Sequence, residues 1–434
     1  MRQNARPTQP LAFEKRFVMS NEKKKSVKSL YARLAVFAAV LGPGIITLSV
    51  GNDAGGLATY SRAGALFGFD ILWIFVPLTI ILIMVQEMAN RMGVVTGDGL
   101  SSMIRERFGV KTTFYLMMAL LFVNFRTIMA EFAGVAASAE LVGAPPLLVV
   151  PICAAAVIGL VLRWDYKSVE KVFLVAAFFY ITYLVAGYMV KPDPVEVAKA
   201  LLIPKWIPSK AYILIVLALF GTTTAPWMAF FQQSSVVEKG IDIEDAAYSR
   251  ADTIFGSVFV NFVALCIVIT CAMTLHPAGI EVNNAGEAAT ALAPLMGNWA
   301  RHLFAFGLFN ASMYAACVLP LATAYTICEA MGWERGVNKR YGEAPQFYFL
   351  YVASIILGAF FVLLPGRSFI DMIIVSQVVN GILLPIVLVF ILILVNDSKI
   401  MGTHTNGRIY NYFCVTTVAF LTVLSVAYIV SLFL

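Results

Sequence analysis

The stretch that decides the fold reads Gly51-Asn52-Asp53-Ala54-Gly55-Gly56 and lies inside an apolar segment long enough to span a membrane. A charged side chain at bilayer depth costs about 2.5 to 3.5 kcal/mol, so such residues usually face a bundle interior or a cavity. Glycines let a helix unwind, which membranes tolerate only where the freed backbone lines a buried or watery site. Asp53 with freed carbonyls would form an oxygen-rich site that suits hard cations. The alternative is a kinked helix whose Asp53 is merely paired.

The composition predicts an all-α polytopic membrane protein. Of 434 residues, 60% are hydrophobic and 13% are charged, whereas soluble domains average about a quarter charged. A bilayer core of about 30 Å needs some 20 apolar residues per helix. Eleven such runs are present, at 35–66 (interrupted), 70–94, 114–142, 145–163, 172–190, 211–237 (interrupted), 252–275, 301–331, 346–365, 368–396 and 409–433.

The distribution of charge predicts the orientation. The first thirty residues are polar and basic and lack the apolar core of a signal peptide, so we expect a cytoplasmic N-terminus. Eleven spans then place the C-terminus outside the cell membrane. This orientation puts 23 Lys and Arg on the inner side and 7 on the outer side, as the positive-inside rule requires. The net charge of +6 is explained by the anionic inner leaflet and calls for no nucleic-acid partner. No obligate protein partner is evident.

The chain carries none of the usual enzyme motifs. All six cysteines fall inside predicted spans, without the paired spacings of a zinc site, and the three histidines form no ligand cluster. Phosphate-binding glycine loops, His-Glu-x-x-His and Gly-x-Ser-x-Gly are absent from the sequence. We therefore expect neither an enzyme nor a resident cofactor.

A second interruption reads Phe220-Gly221-Thr222-Thr223-Thr224-Ala225-Pro226-Trp227. Pro226 removes a backbone donor and clashes with the carbonyl four residues back, so the helix should break here. Threonines can satisfy the freed groups or offer oxygens themselves.

The two interruptions open successive groups of five spans. With an odd number of spans per group, the second group enters the membrane with opposite polarity, which is typical of inverted-repeat transporters whose site lies where two broken helices meet. We divide the chain into a basic tail (1–30), a first repeat (31–190), an extracellular connector (191–210), a second repeat (211–396) and an appended eleventh helix (397–434).

Two further sets of polar residues lie inside predicted spans. Gln377 and Asn380 share a helix face, so their amide oxygens could point into one cavity, or they could join helices together. Arg126 and Glu131 are five positions apart, about 140° around a helix, so each would meet a partner on a neighbouring span. Their role as a gate or as a structural ion pair stays open.

At these residues the chain resembles the Nramp family of divalent-metal transporters, over essentially all eleven spans. The family motif Asp-Pro-Gly-Asn corresponds to Asp53-Ala54-Gly55-Gly56, and its Met-Pro-His corresponds to Ala225-Pro226-Trp227. Ala130-Glu131 and Ser376-Gln377-Val378 match further family positions. The resemblance implies a LeuT-type 5+5 inverted repeat with discontinuous helices 1 and 6.

Two departures from the family pattern bear on the substrate. The family is taken to bind transition metals through Asp, Asn, a carbonyl and Met, but here Gly56 replaces the Asn and Ala225 replaces the Met. Loss of the soft thioether removes discrimination against magnesium, and the smaller residues leave room for a partly hydrated ion. In this the chain resembles the Nramp-related magnesium transporters. The expected site contains Asp53 as the charged ligand, with oxygen donors from the backbone of Gly51, Gly56 and Thr222 and from the side chains of Thr223 or Thr224, Gln377 and Asn380, some of them through water. Ala225 also belongs to the expected site.

A third departure concerns coupling. The positions that the family uses for protons are occupied by Trp227 and Ile128, and only Glu131 remains. The resemblance therefore implies alternating-access import of Mg²⁺, and also of Mn²⁺, down the electrochemical gradient without protons. The first alternative is a conventional proton-coupled Mn²⁺ or Fe²⁺ transporter. Two others are a sodium-coupled transporter of organic solutes and a membrane receptor that transports nothing.

Overall fold

The fold is known from a computed structural model that describes residues 50–163, 181–291, 297–337, 339–366 and 368–433. These residues form helices and connecting segments and contain no β-strand. The α-helices are α1 Ala54–Phe67, α2 Phe75–Thr96, α3 Leu100–Leu141, α4 Pro146–Arg163, α5 Ile181–Met189, α6 Pro194–Leu202, α7 Lys210–Thr223, α8 Pro226–Lys239, α9 Ala246–Thr274, α10 Ala285–Thr290, α11 Ala300–Met331, α12 Pro345–Val362, α13 Phe369–Val395, α14 Ser398–Met401 and α15 Arg408–Ser431.

Eight helical segments of the described chain are long and apolar enough to cross a membrane, and α4 is a shorter apolar helix beside them. The prediction of an all-α membrane protein is therefore confirmed. The predicted half-span 35–49, the basic tail 1–30 and residues 172–180 of the predicted fifth span lie outside the described residues, so the count of eleven stays a prediction. The five-plus-five division of the chain also stays a prediction.

Helix boundaries in the second half of the chain follow the predicted spans closely. The helices α11, α12, α13 and α15 each begin within one residue of the predicted start. Their ends are set by helix caps: Ser368 accepts a hydrogen bond from the N–H of Asp371 at the start of α13, and Gly332 ends α11 in the left-handed conformation.

The connecting segments contain more helix than the hydropathy pattern predicts. The connector 191–210 contains α6, whose N-cap Asp193 accepts from the N–H of Val195. The segment before the predicted third span (114–142) forms the first part of α3, which begins at Leu100 and is kinked at Gly109 with a φ of 81°. Residues Gly68–Ile74, between α1 and α2, form a 3₁₀ turn.

The second break is present in the structure, and at the first break the described chain shows the start of α1 after Asp53. After a 3₁₀ turn over Val50–Asn52, the chain bends at Asp53 and α1 begins. The second break separates α7 from α8 at Thr224 and Ala225, and Pro226 occupies the first position of α8, where proline is favoured because no donor is needed.

Glycines bring α13 against the second broken helix. A Cβ on Gly221 of α7 would lie 1.8 Å from the carbonyl oxygen of Gln377, and one on Gly381 would lie 2.5 Å from the carbonyl oxygen of Leu217. No side chain fits at either position, and small residues of this kind let membrane helices approach closely. The α7–α13 crossing therefore holds Gln377 beside the second break.

Candidate functional site

Asp53 begins α1 and is almost fully buried, with 4% of its surface exposed. Its backbone is extended (φ −65°, ψ −169°), and its carboxylate accepts a hydrogen bond of 2.8 Å from the N–H of Gly56. Gly56 thus orients the carboxylate through its backbone N–H, which is a different role from the carbonyl donor that we predicted. The break in the chain is what places a carboxylate at a helix N-terminus, where negative charge is stabilised.

Glu131 of α3 meets the same helix terminus. One carboxylate oxygen (Oε2) accepts a hydrogen bond of 3.2 Å from the N–H of Ala54, and the side chains of Glu131 and Asp53 are in contact. The approach of α1 to α3 depends on Gly134, where a Cβ would lie 2.6 Å from the Cβ of Ala54. Two buried carboxylates therefore share one end of α1.

Tyr60 connects the two breaks. Its hydroxyl lies 2.9 Å from the Oγ1 of Thr223 and donates a hydrogen bond of 3.3 Å to the carbonyl of Gly51. This carbonyl also packs against Gly56, where a Cβ would come within 2.6 Å of it. The predicted donors Gly51 and Thr223 are thus brought together by a residue that sequence reasoning missed, because a tyrosine in an apolar run looks like ordinary core.

Gln377 of α13 lies against the first break as well as the second. A Cβ on Gly55 would lie 1.8 Å from its amide nitrogen and 2.9 Å from the Oδ1 of Asp53. Asn380 donates hydrogen bonds to the Oε1 of Gln377 (3.2 Å) and to the Oγ1 of Thr127 (3.0 Å). The expected pairing of Gln377 and Asn380 on one face is present, and it links the site to α3.

Several buried oxygens around the two breaks have no hydrogen-bond partner within the described part of the chain. They are the Oγ1 atoms of Thr222 and Thr224, the Oε1 of Glu131, and the Oδ1 atoms of Asn52 and Asn380. Buried polar atoms normally have partners. Oxygens left free in this way are suited to a hard cation or to the waters around it.

A methionine that the sequence reasoning overlooked lies near this region. Ala225 is buried at the N-cap of α8, but Met228, one turn further on, places its terminal methyl 3.7 Å from where a Cβ on Gly51 would lie. Of the atoms of Met228, the methyl carbon lies within 4 Å of that point and the sulfur does not. Among the described residues, no cluster of three or more His, Cys, Asp or Glu is arranged to hold a metal ion.

Arg126 is half-buried on α3, five positions before Glu131, so the two side chains leave the helix in directions about 140° apart. The predicted role of this pair stays a prediction.

Glu87 and Arg91 of α2 form an ion pair, with 3.3 Å between their charged groups. The hydroxyl of Tyr410 also donates to Glu87, so this ion pair joins α2 to α15.

Comparison with known proteins identifies the family. The family model of the natural resistance-associated macrophage protein-like proteins (Nramp) matches residues 44–431. The chain belongs to the Nramp family. This confirms the resemblance that was based on the two breaks and on Glu131.

Curated relatives and solved structures agree with this membership. The chain is 25% identical over 374 residues to "Divalent metal cation transporter MntH" of Yersinia pestis, covering 84% of this chain and 88% of the relative. The MntH of Pectobacterium carotovorum is also 25% identical, over 377 residues, with 85% and 89% covered. These Nramp relatives are named as transporters, in agreement with the prediction that the chain is not an enzyme.

The fold is shared with solved transporters. The Eremococcus coleocola manganese transporter superposes with a TM-score of 0.74 at 19% identity, covering 93% of this chain and 88% of that one. Mhp1, a nucleobase-cation-symport-1 family transporter, superposes with a TM-score of 0.57 at 14% identity, covering 89% and 90%. The second likeness extends beyond the Nramp family and supports the predicted LeuT-type architecture.

Proposed function

We propose that this Nramp protein imports Mg²⁺, and also Mn²⁺, across the cell membrane by alternating access, down the electrochemical gradient and without proton transport. Family membership and the curated relatives support the broader class of divalent metal cation transporter. The choice of Mg²⁺ is our inference from the donor set. The orientation with a cytoplasmic N-terminus and an extracellular C-terminus is part of the proposal.

The observation that carries the proposal is the chemistry of the groups around the breaks. Two carboxylates meet at the start of α1, buried oxygens without a hydrogen-bond partner among the described residues lie on the segments around the breaks, and small residues occupy positions 56 and 225. Mg²⁺ prefers oxygen ligands and gives up its water reluctantly, so it usually keeps several waters when bound. Carboxylate, hydroxyl and amide oxygens are therefore a suitable donor set for a partly hydrated Mg²⁺.

The residues at the two altered proton positions support uncoupled transport. Trp227 and Ile128 are fully buried side chains, and neither can accept or release a proton in the physiological range. Ile128 packs against α12, where a Cβ on Gly358 would lie 2.9 Å from it. These two positions therefore contribute packing where a proton relay would need titratable groups.

Uptake into proteoliposomes tests the proposal, with Mg²⁺, Mn²⁺ and Ca²⁺ supplied separately and a pH-sensitive dye trapped inside. We expect Mg²⁺ and Mn²⁺ uptake without a change in internal pH. Asp53→Ala should abolish uptake. Asp53→Asn is the sharper variant, because Asn also caps helices well; it should fold like the wild type and still lose transport. Robust uptake by either variant would reject the site.

A conventional proton-coupled Mn²⁺ or Fe²⁺ transporter is the second candidate. It is favoured by the names of the relatives and by the position of Glu131, which remains beside Asp53. Internal acidification that accompanies metal uptake, and that disappears in Glu131→Gln, would establish this candidate in place of the first.

A further inference from the structure

The first backbone N–H of α1 has an unusual partner. The first four N–H groups of a helix lack partners within the helix. In α1 the N–H of Gly56 is taken by Asp53, as in many helices, but the N–H of Ala54 donates to Glu131 on α3, 77 residues away in sequence. A second helix thus supplies a carboxylate to the terminus that Asp53 caps.

The other oxygen of Glu131 receives no hydrogen bond from the described residues. Glu131 is fully buried, and its Oε1 has no hydrogen-bond partner within the part of the chain that the structure describes. The side chain is also in contact with Asp53. Two adjacent carboxylates in a water-poor interior are costly unless a shared proton, a cation or hydrogen-bond donors compensate them. A hydrated cation at Asp53 would bring both positive charge and water O–H donors to Oε1.

We propose that Glu131 is a positioning residue of the ion site, whose free oxygen accepts hydrogen bonds from the water shell of the cation bound at Asp53. The N–H of Ala54 holds the carboxylate in place by binding its other oxygen. This inference rests on the proposed function, because it assigns a partner to the waters that Mg²⁺ retains. Glu131 then adds affinity for hydrated divalent ions without binding the metal directly.

Ala54→Pro removes the anchoring donor with little cost to the helix. Proline is favoured at the first helical position, and the extended backbone of Asp53 is the conformation that precedes proline most readily. In the wild type the Oε2 of Glu131 lies 3.2 Å from the nitrogen of Ala54. The proline ring replaces the N–H and therefore displaces this carboxylate.

The chain contains a matched control for this substitution. Asn284 caps α10 from an extended conformation and accepts from the N–H of Glu287, so Asn284-Ala285-Gly286 repeats the arrangement of Asp53-Ala54-Gly55. Ala285→Pro makes the same chemical change at a helix start that carries no part of the proposed site.

The experiment measures the apparent KM and the maximal rate of uptake in proteoliposomes for the wild type, Ala54→Pro, Ala285→Pro, Glu131→Gln and the double variant Ala54→Pro/Glu131→Gln. Glu131→Gln keeps an acceptor for the N–H of Ala54 but loses the charge. It should raise KM by about tenfold, the change expected for one charge-assisted hydrogen bond, with a smaller effect on the maximal rate. Ala54→Pro should raise KM severalfold, and Ala285→Pro should leave it within about twofold.

The double variant distinguishes positioning from general damage. If Ala54 acts through the charge of Glu131, the proline should add nothing once that charge is gone, so the double variant should match Glu131→Gln. An unchanged KM in Glu131→Gln, or a proline effect of equal size in both backgrounds, would overturn the proposal.

Hexaamminecobalt(III) provides a second readout, because its ammine ligands do not exchange and it can bind only through its outer shell. It should inhibit wild-type uptake and inhibit Glu131→Gln about tenfold more weakly; equal inhibition would contradict the role of Glu131. These measurements use whichever divalent ion the wild type transports. A failure of the Mg²⁺ proposal is therefore seen in the wild type, and a failure of the Glu131 proposal only in the variants.

Discussion

Ala225 occupies the N-cap of α8, the position at which a side chain enters the second break. A thioether there would favour softer metals over Mg²⁺. We expect Ala225→Met to shift selectivity toward Mn²⁺ and Cd²⁺, measured as the concentration of each that halves Mg²⁺ uptake. Met228→Leu is the control, since Met228 presents its methyl group to Gly51 and should contribute packing only. Unchanged selectivity in Ala225→Met would refute the argument from thioether softness. Altered selectivity in Met228→Leu would show that the sulfur of Met228 takes part in metal binding.

Tyr60 is a hydrogen-bonded link between the breaks, so its hydroxyl should matter for both stability and transport. Tyr60→Phe leaves the Gly51 carbonyl and the Thr223 hydroxyl short of one partner. A buried group left in this way costs about 1 to 3 kcal/mol, so we expect a lower melting temperature in detergent and slower uptake. Tyr412→Phe changes an exposed tyrosine and should alter neither. A Tyr60→Phe protein that matches the wild type in both would exclude the link.

The sequence predicted single site residues only where a charged or polar side chain falls in an apolar run. An acid or an amide in an apolar run must have a reason, so Asp53, Glu131, Gln377 and Asn380 could all be selected from the sequence. Tyr60 and Met228 fit an apolar run without conflict, and only three-dimensional contacts reveal their position. The orienting role of Gly56 was also hidden, because it depends on the direction of one N–H.

The crossing of α7 and α13 is the element on which the position of Gln377 depends. Gly221→Ala places a methyl group 1.8 Å from the Gln377 carbonyl oxygen and 2.6 Å from the N–H of Gly381. Both are backbone atoms, so the helices must separate. We expect loss of uptake and a destabilisation of about 1 to 3 kcal/mol, the usual cost of overpacking, observed as a lower melting temperature.

Gly159→Ala is the matched control for this crossing. It makes the same substitution inside α4, where a Cβ would meet nothing within 4 Å and where alanine is the better helix former. Uptake and melting temperature should equal or exceed those of the wild type. If both glycine variants behave alike, the close approach of α7 and α13 does not position the site.

Helix breaks and helix ends differ in how well the sequence predicts them. Proline and glycine act on the backbone locally, so the break before Pro226 and the bend at Asp53 could be located to within a residue or two. Hydropathy reports only apolar length, and it missed α6 and the first part of α3 because these helices carry charges. The close packing at Gly221 was invisible for another reason: it depends on which face of α13 meets α7.

At the scale of the whole molecule, the number of charges moved in each transport cycle separates the proposed mechanism from its main alternative. A membrane potential contributes about 2.3 kcal/mol per charge per 100 mV. A tenfold concentration gradient corresponds to about 1.4 kcal/mol. Import of Mg²⁺ alone carries two charges, so about 30 mV, negative inside, should balance a tenfold higher internal Mg²⁺ concentration.

Import of one proton with each ion carries three charges, and the balancing potential falls to about 20 mV at equal pH on both sides. Valinomycin with graded potassium gradients sets the potential, and the point of zero net flux in Mg²⁺-loaded proteoliposomes measures it. We expect the higher value, unaffected by a protonophore, because Trp227 and Ile128 fill the altered positions with buried apolar side chains. A balancing potential near the lower value that moves with the pH gradient would mean that protons are transported with the metal ion. Glu131 would then carry protons although Trp227 and Ile128 cannot.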